Sequence, residues 1–293
     1  MTHIYHIPDS CDDHPGWNGA PVTKRARCIR ANNADEYTVC GTNTWIVAEP
    51  DAGAALVVDP GPAESAHLDA IMAACAEMGA QPAAIALTHK HDDHSESVPA
   101  FIRIAGRMPV FARAPLADQP FAGPIDFPYR PLPDGPFAPF PSCPSLEVVS
   151  LPGHSSDSVG IIVNRDDAVL TGDTIFRDWS TVIVHPDGKL SEYLDSLELL
   201  KRLNRQGRAD LLLPGHGRPI QDPDSSLESY IVHRKHRLDA MRQAIAKLGT
   251  TNAKSLSVEL YKGLSPSLSE AALLATEAQL AYLEETHDPC LNI

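Results

Sequence analysis

Three histidines and two aspartates crowd into six residues at His89-Lys90-His91-Asp92-Asp93-His94, directly behind the apolar run Ala84–Leu87. That run reads as a short buried strand, and in an extended segment residues i and i+2 point to one side. His89 and His91 can therefore address one ion. Asp93 and His94 come where the chain turns into a helix, and they can face a second ion close by. Imidazole and carboxylate ligands suit zinc, and also iron or manganese. A polar loop with accidental histidines is the weaker reading of so dense a set. The pattern constrains the fold because a strand has to deliver it and a helix has to follow.

Matching ligand types recur downstream, each at a strand end followed by a turn. His154 sits in Leu151-Pro-Gly-His154-Ser-Ser-Asp-Ser158, Asp173 in Leu170-Thr-Gly-Asp173-Thr174, and His216 in Leu213-Pro-Gly-His216-Gly217. Alone, each is an ordinary turn residue. In this order behind the histidine cluster, and with Val57-Val58-Asp59-Pro60-Gly61 ahead of it, they resemble the five motifs of the metallo-β-lactamase superfamily. The resemblance covers roughly residues 40–220. It implies an α/β chain folded as a four-layer αββα sandwich, with two divalent metal ions at one edge between the sheets. Zinc is the expected metal, with iron or manganese as alternatives. It further implies that His89, His91 and His154 hold one ion, that Asp93, His94 and His216 hold the other, and that Asp173 bridges them. Asp59 would orient the site without ligating. A hydroxide bridging the ions would then attack an ester, thioester, lactone or related small acyl substrate, with Asp93 orienting it or carrying a proton to the leaving group. A serine hydrolase is disfavoured, because the chain has no Gly-x-Ser-x-Gly elbow. One departure concerns the segment after the cluster. Many thioester-cleaving and glyoxalase-like members have Gly-Gly there, whereas this chain has Ser95-Glu96-Ser97. Ser95 is expected to cap the next helix and to put a side chain near the mouth of the site.

A narrower resemblance rests on Gly41-Thr-Asn-Thr-Trp45, Asp178-Trp-Ser-Thr181, His185-Pro-Asp-Gly188 and His233-Arg234. These look like the branch typified by animal β-lactamase-like protein 2, which implies a small winged-helix-like C-terminal domain. Some members of that branch are single-strand endoribonucleases, so RNA is the alternative substrate. A mononuclear iron persulfide dioxygenase is a further alternative on the same ligand types. Charge weighs against RNA. The chain has 24 basic and 38 acidic residues, a formal net of −14, which repels a phosphate backbone over most of the surface. Residues 228–293 hold seven Lys/Arg and eight Asp/Glu, unlike a typical nucleic-acid module. The basic run His233-Arg-Lys-His-Arg237 could touch a phosphate, or serve as a solvated face or interdomain clamp.

The organisation around these motifs reads as a leader over residues 1–24, a catalytic domain over 25–224 and the C-terminal domain over 225–293. Strands are expected at Thr44–Val47, Ala55–Val58, Leu146–Ser150, Val159–Val163, Ala168–Leu170 and Leu211–Leu213. Helices are expected from Pro62 towards Met78, up to Gly106, near Ser191–Leu203, and over Leu227–Leu248 and Ser267–Glu285. Ten of the 26 prolines fall between residues 115 and 144, which predicts a surface excursion without helix or central strand, either a lid or plain covering structure. Trp179 and Ser180 are candidate pocket residues. His185 is expected in an exposed turn, His3, His6 and His14 in solvent, and Tyr37, Trp45 and Tyr193 as core or surface aromatics rather than catalytic groups. The six cysteines form no CxxC pair and read as mostly reduced thiols. No basic-then-apolar leader and no membrane-length apolar stretch is visible, so a cytoplasmic protein acting on a small molecule is expected.

Overall fold

The computed structural model of the protein describes residues 18–121, 126–177, 179–183 and 185–291. Residues 1–17 of the leader, with His3, His6, His14 and Cys11, lie outside them. Two sheets form the centre. One is built in the order β1 (Ala26–Arg30), β2 (Asn43–Val47), β3 (Ala54–Val58), β4 (Gln81–Ala86), β5 (Val110–Ala112), β6 (Tyr129–Pro131). Its first three strands pair antiparallel and the rest parallel. The other runs β11 (Leu211–Pro214), β10 (Ala168–Gly172), β9 (Val159–Val163), β8 (Leu146–Ser150), β7 (Gly135–Phe137), antiparallel except for the β10–β11 pair.

Strand alternation explains the layering. Trp45, Val47, Leu56 and Val58 point inward to meet Val159, Ile161, Val163 and Leu170 of the facing sheet. The intervening Ile46, Ala55 and Val57 point outward, onto helices α1 (Ser65–Glu77) and α3 (Val98–Ala105). On the far side Ile162, Val169 and Leu212 pack under α4 (Leu190–Arg205) and α5 (Pro223–Leu248). Strands buried on both faces need apolar residues at every position, which is why these runs are continuously hydrophobic. The result is the αββα sandwich.

Several local expectations change. Prolines 131 and 136 sit inside β6 and β7, because both are edge strands where a missing N–H costs no ladder bond. The proline-rich stretch therefore extends each sheet by a strand. The helix expected from Pro62 starts at Ser65. Ser95 does not cap the next helix: it ends the short helix α2 (Asp92–Ser95), fully buried, and its hydroxyl donates to the Lys90 and His91 carbonyls at 3.1 and 2.9 Å. The side chain expected at the mouth is thus folded inward. Strand β1 carried no recognised signal. Cys28, Cys75, Cys143 and Cys290 are free, whereas Cys40 is disulfide-bonded and departs from the thiol reading.

Beyond residue 222 the chain is helical. Pro223 in the first turn and the Asp222 carboxylate, accepting from the Ser225 amide at 3.2 Å, start α5, and Gly249 at φ 60° ends it. Helices α6 (Ala253–Leu260) and α7 (Ser269–Glu285) follow. Among the described residues this region contains no strand, and no helix of the chain is long and apolar enough to cross a membrane.

Candidate metal centre

Asp59, His89, His154, Asp173 and His216 all lie in turns just beyond the C-terminal ends of β3, β4, β8, β10 and β11. The strand directions bring those ends to one edge of the sandwich. Backbone contacts stitch that edge: the Val159 amide donates to the Thr88 carbonyl at 2.9 Å, and the Asn43 amide to the Gly215 carbonyl at 2.7 Å. The Asn43 side chain donates to the Pro214 and Gly217 carbonyls.

Two constellations result. His89 Nε2 and His154 Nε2 each lie 3.0 Å from His91 Nδ1. Asp93 Oδ2 lies 3.2 Å from His94 Nε2 and 3.3 Å from His216 Nε2. Asp173 stands between them, with Oδ1 at 3.3 Å from His94 Nε2 and Oδ2 at 3.3 Å from His216 Nε2, 3.7 Å from His154 Nε2 and 4.0 Å from His89 Nε2.

The placement of protons tests whether cations fit. His94 Nδ1 faces Asp59 Oδ2 at 3.0 Å, His154 Nδ1 the Val182 carbonyl at 2.6 Å, and His216 Nδ1 the Gly41 carbonyl at 3.2 Å. Each acceptor takes the N–H of that nitrogen, which turns Nε2 inward as the nitrogen that offers a lone pair whenever the ring is neutral. The Thr88 hydroxyl gives its one proton to Asp59 at 2.6 Å and so accepts from His89 Nδ1 at 3.0 Å, which frees His89 Nε2 likewise. The inner nitrogens thus face one another and the carboxylates, with lone pairs on the neutral rings and a proton to lose on His94 and His216 before either can ligate. His94 Nε2 and Asp173 Oδ1 are buried with no hydrogen-bond partner. Nitrogens about 2.0–2.1 Å from a tetrahedral zinc sit about 3.3 Å apart, close to the spacing seen. The residues fit divalent cations.

Asp59 could also be grouped with His89 and His94 as a ligand set. Its oxygens are otherwise committed, Oδ1 to the Thr88 amide at 2.7 Å and Oδ2 to the Thr88 hydroxyl and His94. Through Oδ2 it holds the outer, Nδ1 side of the His94 ring, the contact a carboxylate makes behind a metal-binding imidazole. Its backbone is left-handed, at φ 52°, held by its amide on the Ala86 carbonyl and its carbonyl under the Thr44 hydroxyl at 2.6 Å.

Electrostatics divide the cluster without metal. Burial, reinforced by neighbouring imidazoles, holds His89 well below its ordinary value and His154 down to about 4, so both are neutral and ready to ligate. Burial also opposes charge on His94 and His216, but Asp93 and Asp173 outweigh it, raising His94 well above its ordinary value and His216 to about 10. Both carboxylates, despite burial, are held well below the usual range by those histidines.

A cavity of about 360 Å³ opens above, floored by His91, Asp93, His154, Asp173 and His216. Trp179 and Ser180 line it. His185 does not, nor does any described residue between 115 and 144, so the described part of the proline-rich stretch is no lid. The walls the sequence did not reveal are Glu36–Val39, Phe176, Val182, and Glu270, Ala271 and Leu274 of α7. Phe176 stacks edge-on to the His216 ring at 5.3 Å and follows Asp173 by three residues, the one cue available. Trp45 and Tyr193 are buried in the core, as expected of packing aromatics.

The family model described as Metallo-beta-lactamase superfamily matches residues 37–216. The chain belongs to that superfamily. Similar proteins include lactamase-like protein nscB of Aspergillus fumigatus, 27% identical over 77% of this chain, and the β-lactamase-like protein 2 homolog of Drosophila melanogaster, 27% identical over 86%. The chain spans 63% of the length of the Aspergillus protein and 85% of the Drosophila one. An atrochrysone carboxyl ACP thioesterase of Paecilomyces divaricatus is 25% identical over 80% of this chain and 71% of its own length. Among solved structures, a metallo-beta-lactamase family protein of Thermus thermophilus superposes with a TM-score of 0.73 over 91% of this chain and 95% of its own, at 23% identity, which shows a shared fold. The protein has the mixed α/β fold of that superfamily.

Proposed function

We propose that the protein hydrolyses a small acyl substrate, an ester, thioester or lactone, at a centre of two divalent ions, zinc by preference. His89, His91 and His154 would hold one ion, Asp93, His94 and His216 the other, and Asp173 both. Such ions supply a hydroxide nucleophile at neutral pH and a Lewis acid for the acyl oxygen.

The observation that carries the substrate class is the cavity wall. Tyr37, Val39, Phe176, Trp179 and Leu274 give it an apolar lining, Glu36 and Glu270 add negative charge, and among the described residues no lysine or arginine lines it. An apolar acyl group gains by leaving water there, whereas a polyanion meets carboxylate repulsion along the walls and no cationic side chain among the described lining residues. Asp93 Oδ2 accepts from the Thr42 hydroxyl at 2.8 Å, and the Asn33 amide nitrogen donates to that hydroxyl at 3.1 Å. Fixed and ionised at the cavity floor, Asp93 Oδ2 can take a proton from the nucleophile and pass it to the leaving group. The name of the Paecilomyces relative, a thioesterase, supports the same class.

The test is a panel of neutral aryl esters, an acyl thioester, a lactone and a labelled single-stranded RNA, assayed with zinc-loaded protein. Turnover of acyl substrates that Asp93→Asn lowers by about a hundredfold or more is expected. Cleavage of RNA alone, or oxygen uptake with a persulfide by iron-loaded protein, would replace this reading by the ribonuclease or dioxygenase one.

A further inference from the structure

The segment between β10 and α4 does two things at once. Residues Phe176, Trp179, Ser180 and Val182 wall the cavity, and the Val182 carbonyl fixes the His154 ring at 2.6 Å. The described residues of the segment form no helix or strand, so side chains from elsewhere must hold it. The hydroxyl of Tyr230, on α5, accepts from the Phe176 amide at 2.8 Å and donates to the Trp179 carbonyl. One turn along the helix, Arg234 donates to the Thr181 carbonyl at 2.5 Å, with its guanidinium 4.8 Å from the centre of the Tyr193 ring. Tyr193 in turn donates to the Thr174 carbonyl at 2.7 Å. The Thr181 hydroxyl donates to the Asp173 main-chain carbonyl at 2.7 Å, so the pull of Arg234 reaches the central carboxylate residue.

We propose that Tyr230 and Arg234 of the C-terminal helix are positioning residues of the metal centre, setting the orientation of His154 and Asp173 through the 174–182 segment. Neither lines the cavity. They act by denying that segment its alternative conformations, since its carbonyls at 174, 179 and 181 and its amide at 176 are all bonded to side chains of α4 or α5. The basic run on α5 thus commits one arginine to the loop. Another, Arg237, lies 4.4 Å from the Tyr261 ring and serves packing within the C-terminal helices.

Arg237 supplies the control. Tyr230→Phe, Arg234→Gln and Arg237→Gln would be compared by hydrogen exchange over residues 174–183, by chelator competition for bound zinc, and by melting temperature. The inference rests on the ligand roles proposed above, but these readouts need no substrate, so a wild-type protein inert on the ester panel would remove the substrate reading and leave this test standing. Expected are faster exchange in the segment and about tenfold or greater weakening of zinc retention in Tyr230→Phe and Arg234→Gln, the range seen when a residue behind a metal ligand is lost. Arg237→Gln should lower the melting temperature alone, and Arg234→Lys should restore part of the zinc retention that Arg234→Gln loses. Wild-type zinc retention in a folded Tyr230→Phe whose segment exchanges faster would overturn the proposal. So would a loss of zinc that simply tracks melting temperature across all three variants. If Arg234→Gln fails to fold, Tyr230→Phe, which keeps the ring and removes only the hydroxyl, decides alone.

Discussion

At the scale of single residues the centre is a problem in placing protons. Each of four imidazoles, His89, His94, His154 and His216, has one nitrogen tied to an acceptor or hydroxyl and the other turned inward, and the ties are made by Asp59, Thr88, Val182 and Gly41. Asp59→Asn keeps the shape but weakens the hold on His94, so affinity for the ion nearest His94 should fall about 10–100-fold while the three-histidine set keeps its ion; metal titration with two resolved binding steps checks this. The charged state gives a pH prediction. His94 is raised and His216 lies at about 10, so in the metal-free fold both carry protons through neutral pH and each must lose one to ligate. Zinc uptake near neutral pH should therefore release about two protons, and apparent affinity should rise with pH. Calorimetry in buffers of different ionisation enthalpy would show it, and no buffer dependence would contradict it. Asp173→Ala should lower metal content and activity together, because its oxygens face both constellations.

At the scale of elements, tight turns deliver these residues. In Pro214-Gly215-His216 a Cβ on Gly215 would lie 2.3 Å from Asp173 Oδ1 and 2.8 Å from His94. In Pro152-Gly153-His154 Gly153 has φ 131° and a Cβ there would sit 2.3 Å from the Tyr193 Cα. Gly153→Ala therefore strains the backbone and pushes on α4, and we expect a loss of about 3 kcal/mol or more, read as a fall in denaturation midpoint. These turns explain what the sequence made legible. Strands such as β3 and β9, buried on both faces, announce themselves as unbroken apolar runs, and each ligand follows a strand end in a short turn. The misses have physical reasons too. Prolines hide β6 and β7, since proline is excluded from central strands and not from edges. The cavity walls at Glu36–Val39 and α7 come from chain segments far apart in sequence, joined by Tyr37 donating to the Ser267 carbonyl at 3.1 Å, and no local pattern encodes such a meeting.

At the scale of the molecule, one hydrophobic cluster runs from Ile162, Val169 and Leu212 of the second sheet through Tyr193, Leu197 and Leu200 of α4 to Leu227, Met241, Leu256 and Leu283 of the C-terminal helices. We propose that the boundary near residues 222–228 separates kinds of secondary structure and not units that fold alone. Truncation after Gln221 would uncover α4 and release the 174–182 segment, so the shortened chain should aggregate and fail to hold zinc; a soluble, zinc-binding product would argue for an independent catalytic domain. We propose that seven side chains gathered at one edge of the sandwich hold two ions. The most direct measurement is elemental analysis of protein purified without a metal-chelating tag, expressed as moles of metal per chain. About two zinc ions per chain is the predicted result. A single iron, or no metal after zinc is supplied and the excess dialysed away, would contradict it.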